Sequence, residues 1–300
     1  MVASWATSEL EPERRRDPSA AGWRAELEVE FSQRGGRTLP TRRRHRGPLV
    51  VQRPFYPEGR DACHLYVLHP PGGLVGGDEL GIDIAAKAGA TALVTTPAAG
   101  KVYRSRVPAR QRFALRVERG ARLEWLPQET ILFEEASLEA ALRIDFEEGS
   151  HFLAWDAVCF GRIAAGESFA RGTYRQSLEV RKDGELVLLE PLLVEPRLQV
   201  REAAFGLASR SLSATLVASP ASEEDERAVV DIVAGPDALR AHGLEVAPPL
   251  AGVTLLDDLL VLRMLSPNAI ELRETLQRAW AVLRPRILGR PACPPRVWRT

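Results

Sequence analysis

Lysine is almost missing from this 300-residue chain: Lys87, Lys101 and Lys182 are the only ones, and arginine supplies the rest of its 40 basic residues. That bias reads first as the mark of a GC-rich genome and only weakly as arginine chemistry. Cysteine is equally sparse. Cys63, Cys159 and Cys293 lie far apart with no CxxC pair, which excludes a disulfide framework and suits a reducing, cytoplasmic setting. No run of about 18 uncharged apolar residues occurs, so no membrane span is expected. The first twenty residues hold no apolar core, so no signal peptide is expected either. Charge of one sign is also absent: 40 acids balance 40 bases, which argues against a nucleic-acid or membrane partner. Missing too are a GxSxG elbow, an HExxH pair and a phosphate loop of the GxGxxG or GK[ST] type. His45, His64, His69, His151 and His242 form no spaced metal motif. Cys63 and His64, being neighbours, point to opposite faces of a strand.

What the chain does have is a period of two. Leu80, Ile82 and Ile84 alternate with small or charged residues, and so do Phe113, Leu115 and Val117, then Leu142, Ile144 and Phe146, then Leu178 and Val180. Turn signals separate the runs at Ala88-Gly89, Arg119-Gly120, Glu148-Gly149 and Asp183-Gly184, the last a strong hairpin signature. Recurring strands without intervening helices predict an all-β core. Residues 1–22 read as a flexible tail and 23–300 as one domain. TRRRHRG at 41–47 is a basic stretch, either a solvated loop or a surface for an acidic partner. SEEDERAVVDIVAG at 222–235 is ambiguous between helix and strand, and VTLLDDLLVLRML at 253–265 reads as strand, turn, strand. Residues 267–284 form the one convincing helix, with Ser266 as its cap, an apolar stripe through Leu272, Leu276, Trp280 and Leu283, and Pro285 as its stop. A basic, proline-rich segment closes the chain.

Two features bear on chemistry. HPPGGLVGGDEL at 69–80 is glycine-rich, but a strand rather than a helix should follow Asp78; Gly72, Gly73, Gly76 and Gly77 therefore read as a structural bend or a close chain approach. HFLAWDAVCF at 151–160 is apolar in both phases except at Asp156, which implies a strand covered on both faces. LVLLEPLLVEP repeats the pattern at Glu190. An isolated carboxylate in such a place costs several kcal/mol or takes up a proton. Either these acids are paired to structural arginines such as Arg162, or Asp78, Asp156 and Glu190 line a polar route for a cation.

At HPPGGLVGGDEL, ATALVTTPAAGKVYRS, LEWLPQETILFEEA, WDAVCFGR, GESFARG, LLEPL and the closing LGRPACPPRVW, the sequence resembles the UreD (UreH) family of urease accessory proteins. The likeness runs from about residue 24 to 299. It departs at TTPAAGKVYRS, where many relatives are richer in Ser and Thr, and at Leu68, where many carry a second histidine. The resemblance implies a β-superhelical, solenoid-like body with a few C-terminal helices. It implies a non-catalytic maturation scaffold that binds apo-urease and UreF, and through UreF the GTPase UreG. No tightly bound cofactor is implied; nickel is cargo in transit through an internal polar passage. Asp78, Asp156 and Glu190 fall where the family keeps interior acids, with His69 as the imidazole at the glycine loop. Partner contacts are expected near the last helix and tail, at Leu276, Trp280, Arg284 and Trp298. A carboxylate-dependent hydrolase on a β-helix is the alternative, and a plain β scaffold with salt-bridged acids is another.

Overall fold

The period-two runs form strands throughout a computed structural model that describes residues 22–234 and 249–299. In chain order these are β1 Arg24–Arg34, β2 Arg37–Arg46, β3 Val50–Val51, β4 Ala62–Leu68, β5 Glu79–Ala86, β6 Thr91–Thr95, β7 Gly100–Val102, β8 Ala109–Val117 and β9 Arg122–Leu126. Then come β10 Thr130–Leu132, β11 Ser137–Phe146, β12 His151–Phe160, β13 Thr173–Lys182, β14 Glu185–Val194, β15 Leu212–Ser219, helix α1 Glu223–Ala234, β16 Leu250–Leu256, β17 Leu259–Ser266 and helix α2 Ala269–Ile287. The tail expected over 1–22 lies, but for Gly22, outside the described residues.

Two sheets result. One has seven strands in the order β14-β13-β11-β8-β5-β1-β2; the other follows β16-β17-β15-β12-β9-β6-β4-β3, with β10 and β7 joined at its side. From β4 to β13 the long strands alternate between the two sheets, and neighbours β1, β5, β8, β11 and β13 pair in parallel, as do β4, β6, β9 and β12. Parallel neighbours need a crossover, and here the crossover is a strand in the opposite sheet. The glycine corners repeat accordingly: Gly89, Gly120 and Gly149 have φ of 77°, 74° and 77°, which side chains resist, and Gly120 N–H donates to the Gly149 carbonyl at 2.9 Å.

Between the sheets lies the main core, where Leu27, Val29, Ile82, Ile84, Leu115 and Ile144 meet Val94, Leu123, Trp125, Phe152 and Val158. Each such side chain contributes roughly 1.5–3 kcal/mol on burial. The other phase of β12, Leu153, Trp155, Ala157 and Cys159, packs outward beneath Leu272, Leu276, Ala279, Trp280 and Leu283 of α2. That double cover explains why β12 is apolar in both phases.

Asp183 and Gly184 take left-handed φ of 49° and 87° between β13 and β14, as the hairpin signature requires. The 253–265 segment is the expected strand pair, turning at Asp257. The ambiguous 222–235 segment resolves as helix α1, its acidic first turn complementing the helix dipole. Two details of α2 differ from expectation. Its cap is Asn268 rather than Ser266: Asn268 Oδ1 accepts from Ile270 N–H at 2.8 Å and Glu271 N–H at 3.3 Å, while the Ser266 hydroxyl donates to Glu271. Pro285 does not stop the helix, because it falls in the last turn and the chain stays helical to Ile287.

Candidate functional site

The glycine loop bends where it must. Gly72 and Gly77 have φ of 81° and 84°, and Gly73 and Gly76 lie against neighbouring backbone. A Cβ on Gly76 would meet Ser105 Oγ at 1.9 Å, and one on Gly73 would meet Tyr103 at 2.5 Å. Under this loop Asp78 is buried, its Oδ2 accepting from Val75 N–H at 2.8 Å and its Oδ1 from Trp23 N–H at 3.1 Å. Both oxygens are therefore occupied by backbone, and Asp78 clamps the loop to the start of β1.

His69, at the end of β4, stacks near Trp23 with ring centroids 4.9 Å apart. Burial lowers its pKa against the opposing pull of Asp78, so the ring favours its neutral form. Its Nε2 is buried without a hydrogen-bond partner. His69 lines a cavity of about 270 Å³ whose walls include Gln111, Trp125, Gln128, Thr130, Lys101 and Asp156. Trp125 Nε1 is likewise buried and unpartnered. Orphaned polar groups on the wall of a cavity this large make it a place for water or a polar guest.

Asp156 points into that space. Among the inward residues of β12, Phe152, Ala154, Val158 and Phe160 are sealed, and Asp156 alone keeps some accessibility. Burial raises its carboxyl from an ordinary 3.8 to about 6, only partly offset by the Ala157 N–H. Among the described residues, no guanidinium pairs with it. Arg162, the partner anticipated from sequence, sits on the surface against Glu167. The one side chain bonded to Asp156 is Gln176 of β13, whose Nε2 donates to Oδ2 at 2.5 Å across the gap between the sheets.

Glu190 is placed differently. On edge strand β14 it is ion-paired to Arg263 of β17, spanning the two sheets. Arg263 also reaches Thr254 Oγ1 at 3.4 Å. Glu190 and Arg263 line a second, open cleft of about 610 Å³, shared with Gln176, Ser213, Thr215 and the exposed Phe205. The three acids thus do not share one bore: Asp78 is outside both cavities, Asp156 faces the inner one and Glu190 the edge cleft. Nor do Asp156 and Glu190 meet across a common cleft as a hydrolase acid and base. Among the described residues, no three His, Cys, Asp or Glu side chains converge as a cation site. Asp156 and His69 share the cavity wall with Gln111, Gln128, Thr130 and the Lys101 side chain.

Gln111 and Gln176 were not singled out from the sequence, yet their signal matches that of Asp156. Gln111 is in phase with Phe113 and Leu115, and Gln176 with Tyr174 and Leu178, so each is a polar residue in an apolar phase.

Of the four residues expected at a partner surface, Leu276, Trp280 and Arg284 are buried and Trp298 is half-buried. Leu276 and Trp280 are on the buried face of α2, and Trp298 packs on Trp155 and Trp280 at 5.5 and 5.2 Å while donating to Thr95 Oγ1 at 3.2 Å. Arg284 is fully buried between two carboxylates, Glu58 at 2.7 Å and Glu124 at 3.0 Å. Trp280 Nε1 donates to Glu124 at 2.7 Å, and His64 contacts Glu58 at 2.6 Å. Burial alone would raise the Glu58 carboxyl, but hydrogen bonds from His64 and Arg284 outweigh it and hold it at about 2. These side chains lock the C-terminal segment to β4 and β9; a partner meeting α2 would find Ile270, Glu274 and Arg278 instead.

The basic stretch 41–47 is mostly edge strand β2 rather than a loop, with Arg42–Arg46 exposed. Arginines along an edge discourage strand addition by another chain.

Comparison with known proteins follows the same outline. The family described as UreD urease accessory protein matches residues 23–299. A urease accessory protein UreD from Alkalilimnicola ehrlichii is 42% identical over 284 residues, covering 94% of each chain. One from Pseudomonas putida is 44% identical over 93% of this chain and 95% of its own. Another, from Citrobacter koseri, is 42% identical over 93% and 92%.

Proposed function

This chain belongs to the UreD urease accessory protein family, and from that premise we propose that it is a non-catalytic scaffold of urease maturation in the cytoplasm. In this reading it binds apo-urease subunits and UreF, UreF brings the GTPase UreG with its nickel, and the ion reaches urease through the interior of this chain. The observation that carries the proposal is Asp156, a carboxylate facing a cavity of mixed polar and apolar lining, with no arginine among the described residues paired to it. Oxygen donors hold nickel less tightly than an all-imidazole or thiolate site, and an ion in transit must be released. His69, whose Nε2 is buried without a hydrogen-bond partner, lines the same cavity and would supply one softer ligand on turning that nitrogen inward. Nickel is cargo here, not a resident cofactor. The superhelical description of the body belongs to this reading too, supported by the alternation of strands between the sheets. The outward residues of α2, led by the exposed Ile270, are offered as part of the partner surface.

The test is a reconstituted transfer. Asp156→Ala with Glu190→Ala should leave the accessory complex assembled on gel filtration but lower the nickel content of urease measured by mass spectrometry. If the double variant fills urease at the normal rate, the passage is wrong. If it cannot assemble, the acids are structural.

A further inference from the structure

A hydrogen bond links a wall of the inner cavity to a wall of the edge cleft. Asp156 lines the inner cavity and not the cleft; Gln176 lines the cleft and not the inner cavity; and the Gln176 amide donates to Asp156 where the two walls meet. A third hollow of about 330 Å³ touches the inner cavity only through Gln111, and Gln176 lines that one as well. Across the seven-stranded sheet, Gln111 and Gln176 flank Ala140 in one register row, so no large side chain fills the space between them. Opposite, Asp156 pairs in register with Thr215 and Thr215 with Arg263, which carries the polar row on to Glu190. Gln176 thus lines both outer hollows and bonds the carboxylate that lines the inner cavity.

Glutamine suits such a place because its end group has two chemically opposite faces: an NH₂ that donates to a carboxylate and a carbonyl oxygen that binds a cation. With the NH₂ toward Asp156 the two form a neutral-to-anion hydrogen bond and the wall is shut. With the amide turned over, the carbonyl oxygen joins the Asp156 carboxylate as a pair of hard oxygen ligands. We propose that Gln176 is the selectivity and transfer residue of the passage, closing the wall in the empty protein and handing a divalent cation from the inner cavity to the edge cleft by exchanging its N–H for its carbonyl oxygen at Asp156. This inference rests on the passage reading above and assigns a role to a residue outside the set of acids.

The test uses the assembled accessory complex with apo-urease and follows nickel arriving in urease over time by mass spectrometry. Gln176→Leu keeps the bulk but has neither donor nor ligand; it should slow arrival about tenfold, the worth of one hydrogen bond to a charged group. Gln176→Glu sets two carboxylates at the wall and should leave nickel retained on the accessory complex after gel filtration, where the wild type releases it. Normal arrival with Gln176→Leu, together with no retained nickel with Gln176→Glu, overturns the role of Gln176. Asp156→Ala separates the two readings. If it slows arrival while both Gln176 variants behave as wild type, the passage stands and only the hand-over falls. If Asp156→Ala also leaves arrival unchanged, the passage itself falls. Should Gln176→Leu fail to assemble, retention by Gln176→Glu decides alone.

Discussion

Replacing Arg284 by methionine tests the seam that holds the C-terminal segment in place. The guanidinium is fully buried and donates to Glu58 at 2.7 Å, to Glu124 at 3.0 Å and to the Pro291 carbonyl. Methionine conserves much of the volume, so the loss is electrostatic: two buried carboxylates keep their desolvation and lose their shared cation. Removing one partner from a buried ion pair costs about 3–5 kcal/mol, which for a domain of this size lowers Tm on the order of 10 °C. The pH dependence has a definite sign. Glu58 sits at about 2 in the folded chain against an ordinary 4.5, so its contribution is present above about pH 4.5 and is lost as pH falls toward 2. That shift of about 2.5 units corresponds to roughly 3 kcal/mol. The deficit of Arg284→Met should therefore be largest near pH 7 and shrink below pH 4.5. Urea denaturation followed by tryptophan fluorescence reads it directly, since Trp280 and Trp298 flank the cluster. A deficit under about 1 kcal/mol at pH 7, or one that grows on acidification, refutes the assignment of this cluster as the lock.

Three further outcomes are expected. Asp156 has the opposite sign: its folded pKa of about 6 lies above the ordinary 3.8, so ionising it destabilises the fold as pH rises through that window, and Asp156→Asn should stabilise by up to about 3 kcal/mol at pH 8 and by nothing below about pH 4 in paired melts. Gly76→Ala should cost about 1–3 kcal/mol by calorimetry, because its Cβ would strike Ser105 and the Val107 carbonyl, while Gly35→Ala meets no atom within 4 Å and bears only the strain of its φ of +54°. Alkylation by iodoacetamide at pH 8 should reach Cys293 first, since burial pushes the Cys63 thiol to about 11 and the Cys159 thiol to about 12; equal labelling of all three would contradict their placement.

The strands were legible because their physics is local. Alternation at Leu80–Ile84 or Leu142–Phe146 reports a face, and Gly89, Gly120, Gly149 and Gly184 report corners that other residues resist. Asp156 stood out for the same reason, an acid between two apolar phases, but the sequence left open whether an arginine or a cavity faced it. What the sequence could not reveal is which partner each acid would find across the sheets. Arg263 is 73 residues from Glu190, and Arg284 is 160 from Glu124; no periodicity encodes such meetings. The same blindness hid the burial of Arg284 between two carboxylates. Arginine and tryptophan near the end of a chain look like partner contacts until the helix beside them turns out to lie on β12.

The interior acids can be ranked by what neutralises them, and the ranking separates structure from transport. Glu58 and Glu124 share Arg284, Glu190 has Arg263, and Asp78 has two backbone N–H groups. Each is satisfied, and of these Glu190 also lines the open edge cleft. A chain with such a surplus of arginine over lysine had every means to treat Asp156 in the same way, and it offers an amide instead. An amide leaves the negative charge in place and blocks it only through a hydrogen bond that an incoming cation can replace. A guanidinium there would repel that cation and hold the carboxylate permanently. The glutamine opposite Asp156, where a guanidinium would hold the carboxylate, is the feature on which the proposed cation route rests.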